Sequence, residues 1–204
     1  MTTAAYPPGG TFLDTLKRSF VDVPIDSEQN VSTTEFLEAA ESLTTLFDVL
    51  GSVAFTPVKS DMLGNVKKIR DRQLAAPGES GTLQSLVKAE LATKKHVATE
   101  GLVWLVRGLD FTALALTQNL STPTEELSAS FRAAYGGTLK PHHSFMVKPI
   151  FSAAMSACPY RKDFYVKLGE DEGKVAEGLK KWLEALLKEI AILKTFLASK
   201  EAKW

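Results

Sequence analysis

Cysteine is nearly missing from this sequence: Cys158 stands alone among 204 residues, which excludes an internal disulfide framework. The amino terminus, Met1 to Pro8, has neither the basic nor the apolar region of a secretory signal, and both features point to the cytosol. No uncharged apolar run reaches the roughly 18 residues that a membrane-spanning helix requires. Net charge is missing too, because 24 basic residues balance 24 acidic ones. No overall field draws the chain onto nucleic acid or an anionic membrane, so any membrane contact has to be local, transient and peripheral.

Catalytic motifs are equally scarce. The chain has no Gly-rich phosphate loop, no HExxH zinc motif and no nucleophile elbow. One cysteine and three histidines cannot build a thiolate zinc site. His142 and His143 are neighbours and would diverge by about 100° on a helix. Asp61, Lys68 and His143 have the residue types of an acid/base set, yet no activated nucleophile accompanies them. The expectation is a protein that is not an enzyme and uses no metal, nucleotide or other cofactor. Strand alternation, hairpin signals and internal repeats are also missing.

What is present is helical periodicity over a 45% hydrophobic composition, enough for one domain over 1–204 with a sizeable core. Pro7-Pro8-Gly9-Gly10 closes what reads as a mobile arm over residues 1–10, and Thr11 to Leu16 begins a short helix. Ser32 and Glu35 have capping-box spacing ahead of an apolar stripe that Gly51 stops. Thr56-Pro57 opens a helix running to Pro77-Gly78, with Gly64 inside it, where glycine marks a close approach of another backbone or a ligand. A further helix covers about Thr82 to Lys95. Residues 97–120 are apolar nearly all round, as in a buried central helix, interrupted by Arg107 and Asp110. Thr122-Pro123 and Pro141 each read as helix starts, with Pro149 kinking or dividing the second of these. A short basic helix follows Pro159, and a long amphipathic one covers Glu172 to about Lys200. The sum is an all-α domain of about eight helices.

One stretch in the third helix carries ligand chemistry. Asp61, Asn65 and Lys68 stand at i, i+4 and i+7, so they share a helix face. An acceptor, an amide and a cation together suit vicinal hydroxyls, which makes a sugar the natural ligand, although the same stripe also describes an ordinary solvated face. Trp104 is either core or a platform whose face stacks on a pyranose while its N–H donates. His143 is either a structural histidine or a polar contact of the same site.

Four phrases carry a resemblance. Phe55 to Ile69 (FTPVKSDMLGNVKKI), Val103 to Leu109 (VWLVRGL), His143 to Lys148 (HSFMVK) and Ala157 to Phe164 (ACPYRKDF) resemble the glycolipid transfer protein family in order and spacing, over roughly residues 30–200. Within the family the chain looks most like the fungal heterokaryon-incompatibility branch. The resemblance implies a two-layer all-α sandwich of about eight helices and intermembrane transfer or sensing of glycosphingolipids. It implies that Asp61, Asn65, Lys68, Trp104 and His143 bind the sugar headgroup and the ceramide amide, and that Phe151 lines the hydrocarbon pocket. Glucosylceramide, galactosylceramide and lactosylceramide are the implied partners. Asn65 stands where ceramide-1-phosphate carriers of the family place a cation, which favours a neutral sugar. A ceramide-1-phosphate carrier and a helical protein-interaction module are the alternatives.

The chain also departs from mammalian members. Phe145 replaces a membrane-facing tryptophan, Ser156 replaces a tyrosine, and Lys203-Trp204 replaces a tyrosine-containing tail. Phe145, Lys148, Tyr160 and Arg161 are the expected membrane contacts, because basic and aromatic side chains mixed over residues 140–167 suit a bilayer interface.

Overall fold

The apolar stretch beyond His96 forms α5, Val97–Ser121, and the remaining helices are arranged around it. The computed structural model describes residues 6–204. Before α5 come α1 (Thr33–Thr44), α2 (Leu46–Leu50), α3 (Thr56–Ala75) and α4 (Leu83–Ala92); after it come α6 (Leu127–Gly137), α7 (Lys148–Ser156), α8 (Arg161–Leu168) and α9 (Glu172–Ala198). Since α2 continues α1 beyond Thr45, the expected count of about eight is met, and no strand occurs among the described residues. α5 packs most extensively on α3, then on α6 and α9. That explains why it is apolar on nearly every side.

The start of α5 is held from outside the helix. Its N-cap, His96, makes no side-chain capping bond; instead Glu90 of α4, only 4% exposed, serves the first turn. Its Oε1 accepts from the Ala98 amide at 2.9 Å, and its Oε2 accepts from the Thr99 amide and hydroxyl at 2.7 Å each. A carboxylate on a helix N-terminus satisfies free amides and complements the helix dipole.

The α3–α5 seam depends on glycine, but not on the expected one. Nothing lies within 4 Å of where a Cβ at Gly64 would stand, so that residue marks no close approach to another backbone. The tight contact is at Gly101, whose Cβ would meet the Lys68 Cβ at 3.1 Å and the Asn65 carbonyl at 3.3 Å; at Gly108 it would meet Met62 at 3.5 Å. As α5 rises from 101 to 108, α3 descends from 68 to 62, so the two helices are antiparallel.

Several expected boundaries move. Thr11 to Leu16 holds only a 3₁₀ turn, Phe12–Thr15. Ser32 makes no backbone cap; its hydroxyl donates directly to the Glu35 carboxylate. Thr122-Pro123 lies in a turn, closed by the Glu125 amide donating to the Thr122 carbonyl at 2.9 Å, and α6 starts only at Leu127. Pro141 starts no helix. The His142 and His143 amides both donate to the Leu139 carbonyl, at 3.0 and 3.1 Å, closing a turn in place of a helical ladder. Pro149 does not kink α7 but sits in its first turn, where a missing N–H leaves nothing unpaired.

The arm expected over residues 1–10 is described from Tyr6 onward, residues 1–5 lying outside the described residues. Tyr6 donates its hydroxyl to the Lys167 carbonyl at 2.6 Å, and Lys174 donates to the Gly9 carbonyl at 3.2 Å. In α9, Glu189 is buried with Oε2 unpartnered; burial pushes its carboxyl up to about 9, against the opposing pull of Lys188. Near neutral pH it is therefore carried into the core uncharged.

Candidate functional site

On α3 the i, i+4, i+7 spacing produces a hydrogen-bonded ladder. The Asn65 amide nitrogen donates to Asp61 Oδ2 at 3.2 Å, and Lys68 Nζ donates to Asn65 Oδ1 at 3.1 Å. Asn65 is only 3% exposed, while Asp61 and Lys68 reach solvent on either side of it. Crowding by neighbouring protein pushes the Asp61 carboxyl above its ordinary range, and the Lys68 cation opposes that shift. The ladder is thus pre-aligned, with unused lone pairs on Asp61 and unused protons on Lys68 for an incoming hydroxyl.

Trp104 belongs beside this ladder by helix geometry. It lies three residues after Gly101 and four before Gly108, on the side of α5 that meets α3. The Arg107 guanidinium carbon stands 4.8 Å from the indole centroid. His143 lies nearly parallel to the indole, 5.8 Å away at 18°, and His142 meets it edge-on at 6.4 Å. The two histidines therefore converge on one tryptophan, because the turn at Leu139 removes the helical divergence expected of neighbours.

His143 joins the polar and apolar parts. Its Nδ1 is 3.1 Å from the Tyr135 hydroxyl, and its ring centroid is 4.5 Å from that of Phe151. Burial, followed by the charges of His142, Lys148 and Arg107, lowers its pKa, so the ring is neutral near pH 7. In the tautomer where the Tyr135 hydroxyl donates to Nδ1, the ring proton sits on Nε2 and is available to a carbonyl acceptor. Phe151 is 7% exposed and stacks on Tyr135 at 5.4 Å and 8°, with Phe111 edge-on at 6.0 Å. A single path thus leads from the polar ladder through Trp104 and His143 into an aromatic interior.

Of the four residues expected at a membrane, Phe145 (82% exposed) and Tyr160 (74%) project into solvent, and Lys148 is exposed. Arg161 is half-buried: its guanidinium lies 4.3 Å from the Tyr165 ring centroid and its amide donates to Glu126. Met146 and Ile150 are exposed as well. Grooves mark the surface of the described residues. One of about 440 Å³ adjoins the site and is lined by Arg107, Asp110, Thr138, His142, Lys194 and Trp204, among others. A larger one, about 570 Å³, lies elsewhere, between Gln29, Gln84, Ile192 and Phe196. No helix among the described residues is long and apolar enough to cross a membrane.

The family profile described as Glycolipid transfer protein (GLTP) matches residues 31–170. The chain belongs to the glycolipid transfer protein family. A glycolipid transfer protein from Aureobasidium melanogenum is 71% identical over 201 residues, covering 98% of this chain and all of that protein. The human pleckstrin homology domain-containing family A member 8 is 33% identical over 198 residues, 91% of this chain but only 38% of the human protein. Among solved structures, the fungal glycolipid transfer protein HET-C2 superposes with a TM-score of 0.93 at 69% identity, covering 95% of this chain and all of that one. A structure describing how FAPP2 selects simple glycosphingolipids using the GLTP fold superposes at 0.84 and 30% identity, covering 95% and 98%. The all-α architecture is therefore the two-layer glycolipid transfer protein fold.

Three contributors were given no site role in the sequence reading. Tyr135 orients His143, Arg107 covers Trp104, and Glu90 anchors the start of α5. Arg107 alone carried a local signal, its place one turn after Trp104.

Proposed function

We propose that this chain carries neutral glycosphingolipids, such as glucosylceramide, galactosylceramide or lactosylceramide, between membranes without covalent chemistry. The supporting observation is the Asp61–Asn65–Lys68 ladder held against α5 at Gly101, together with the ring contacts that run from Trp104 through His143 to the aromatic cluster around Phe151. In this reading the sugar stacks on Trp104 and bonds the ladder. The ceramide amide meets Asp61 and the His143 Nε2, and the hydrocarbon enters beside Phe151. Phe145, Lys148, Tyr160 and Arg161 touch the bilayer transiently, and the protein works from the cytosol.

The energetics fit a carrier. Burying hydrocarbon stabilises by about 0.8 kcal/mol per CH₂, but the bilayer already shelters those chains, so extraction gains little from them. Headgroup hydrogen bonds then decide which lipid leaves. Asn65 brings an uncharged amide to the centre of the ladder, where a phosphate headgroup would call for a further cation.

The test is transfer between vesicles of glucosylceramide, ceramide-1-phosphate and phosphatidylcholine, with wild type and Trp104→Ala. Transfer of glucosylceramide alone, at least about tenfold slower in the variant, is expected from the loss of stacking and its hydrogen bond. Preferential transfer of ceramide-1-phosphate would overturn the headgroup assignment, and recovery of altered lipid would overturn the non-enzymatic one.

A further inference from the structure

We propose that Arg107 is a displaceable cover on the sugar platform, a specificity-determining residue that competes with neutral headgroups for the face of Trp104. The proposal rests on the assignment of Trp104 as the sugar-stacking residue. Its guanidinium carbon stands 4.8 Å from the indole centroid, at stacking distance over one face of the ring. His143 and His142 already crowd the same indole, one nearly parallel and one edge-on. A sugar ring that stacks on the indole face under Arg107 therefore has to displace the guanidinium.

The arginine is placed to be moved. Among the described residues it makes no ion pair and no hydrogen bond, and its charged end rests on the indole. Burial lowers its basicity, which marks a cation held partly out of water without a compensating anion. The nearest acid along α5, Asp110, is engaged by Lys194 Nζ, which donates to its Oδ2 at 2.8 Å. Asp110 Oδ1 accepts no hydrogen bond among the described residues. Arg107, Asp110 and Lys194 all line the groove of about 440 Å³ beside the platform. A displaced guanidinium thus has both a space to enter and a carboxylate oxygen to meet.

The cover has a defined consequence for selection. Every neutral sugar must first break the cation–π contact, whereas an anionic headgroup would gain a charge partner from the same arginine. Arg107 then lowers affinity for the neutral lipid while keeping the indole shielded in the empty protein.

The experiment measures the dissociation constant for glucosylceramide with a six-carbon acyl chain, by calorimetry on the full chain. Wild type, Arg107→Ala, Arg107→Gln, Trp104→Ala and the Trp104→Ala/Arg107→Ala double variant are compared. Removing the cover should tighten binding about two- to fivefold, the size of one exposed cation–π contact, in both arginine variants. On the Trp104→Ala background, removing Arg107 should change nothing. Weaker or unchanged binding in both Arg107 variants, with wild type binding normally, would overturn the cover alone; weaker binding would make Arg107 a headgroup ligand. Failure of wild type to bind would instead overturn the carrier reading and, with it, the cover. Urea unfolding of each variant keeps a folding defect from being read as a binding effect.

Discussion

The α3–α5 seam and the segment from Thr138 to Tyr160 both supply residues to the site, and they hold them by opposite means. In the seam, two straight helices meet at Gly101 and Gly108, and the ladder residues bond one another at intervals set by the helix itself. In the segment, a turn at Leu139 and the short helix α7 deliver His143 and Phe151 to partners on other elements, Tyr135, Trp104 and Phe111. The same segment leaves Phe145 and Met146 in solvent. The seam has fixed polar groups and little room to shift, which in the proposed function is where the headgroup is recognised. The segment has an interior end packed in aromatic rings and an exposed exterior end, which in the proposed function meets the bilayer and parts to admit a chain.

The sharpest way to break this contrast is at Phe151, the interior end of the segment. Phe151→Ala should cost about 3–5 kcal/mol in urea unfolding, because a buried ring leaves a cavity among Tyr135, Phe111 and His143. At the seam, Gly101→Val should cost about 1–3 kcal/mol by overpacking against Lys68 and Asn65, and should lower transfer by moving the ladder. Gly64→Ala, in α3 with the ladder but facing open space, should do the reverse and stabilise by about 0.5–1 kcal/mol.

Tyr135→Phe should cost about 1 kcal/mol by removing the hydroxyl from His143. Since burial lowers the folded-state pKa of His143, the unfolded chain takes up its proton first as pH falls. The stability tied to the neutral ring is then complete above about pH 6.5, the ordinary histidine value, and declines as pH falls below it. Unfolding measured from pH 8 to pH 5 should show this loss in wild type, and His143→Gln should show less of it. The smallest effect on stability, within about 0.5 kcal/mol, is expected of Phe145→Ala, which is nearly fully exposed. Its vesicle transfer should nevertheless slow several-fold, and transfer at the wild-type rate would remove Phe145 from the docking surface.

How much was legible in the sequence follows the same division. The ladder was readable because helix periodicity alone fixes which of residues 61–68 share a face, and α5 and α9 were readable from long apolar patterns. The segment was not. Pro141 has the marks of a helix start, yet the paired donation to the Leu139 carbonyl makes a turn, and that turn lets His143 pack on Trp104 and Phe151, contacts that helix periodicity does not reveal. Gly64 misled as a mark of backbone approach, because glycine inside a helix signals a packed neighbour only when one is present, and the neighbour stands at Gly101 instead. The ties from Glu90 to α5 and from Tyr135 to His143 are tertiary, with no local pattern to mark them.

The most direct measurement is a two-dimensional NMR titration of the protein with short-chain glucosylceramide, following the Asn65 side-chain amide and the Trp104 indole N–H. Both resonances should shift together at stoichiometric lipid, while signals from Gln84 and Phe196, in the larger groove, stay in place. Shifts confined to Gln84 and Phe196, with Asn65 and Trp104 unmoved, would contradict the account.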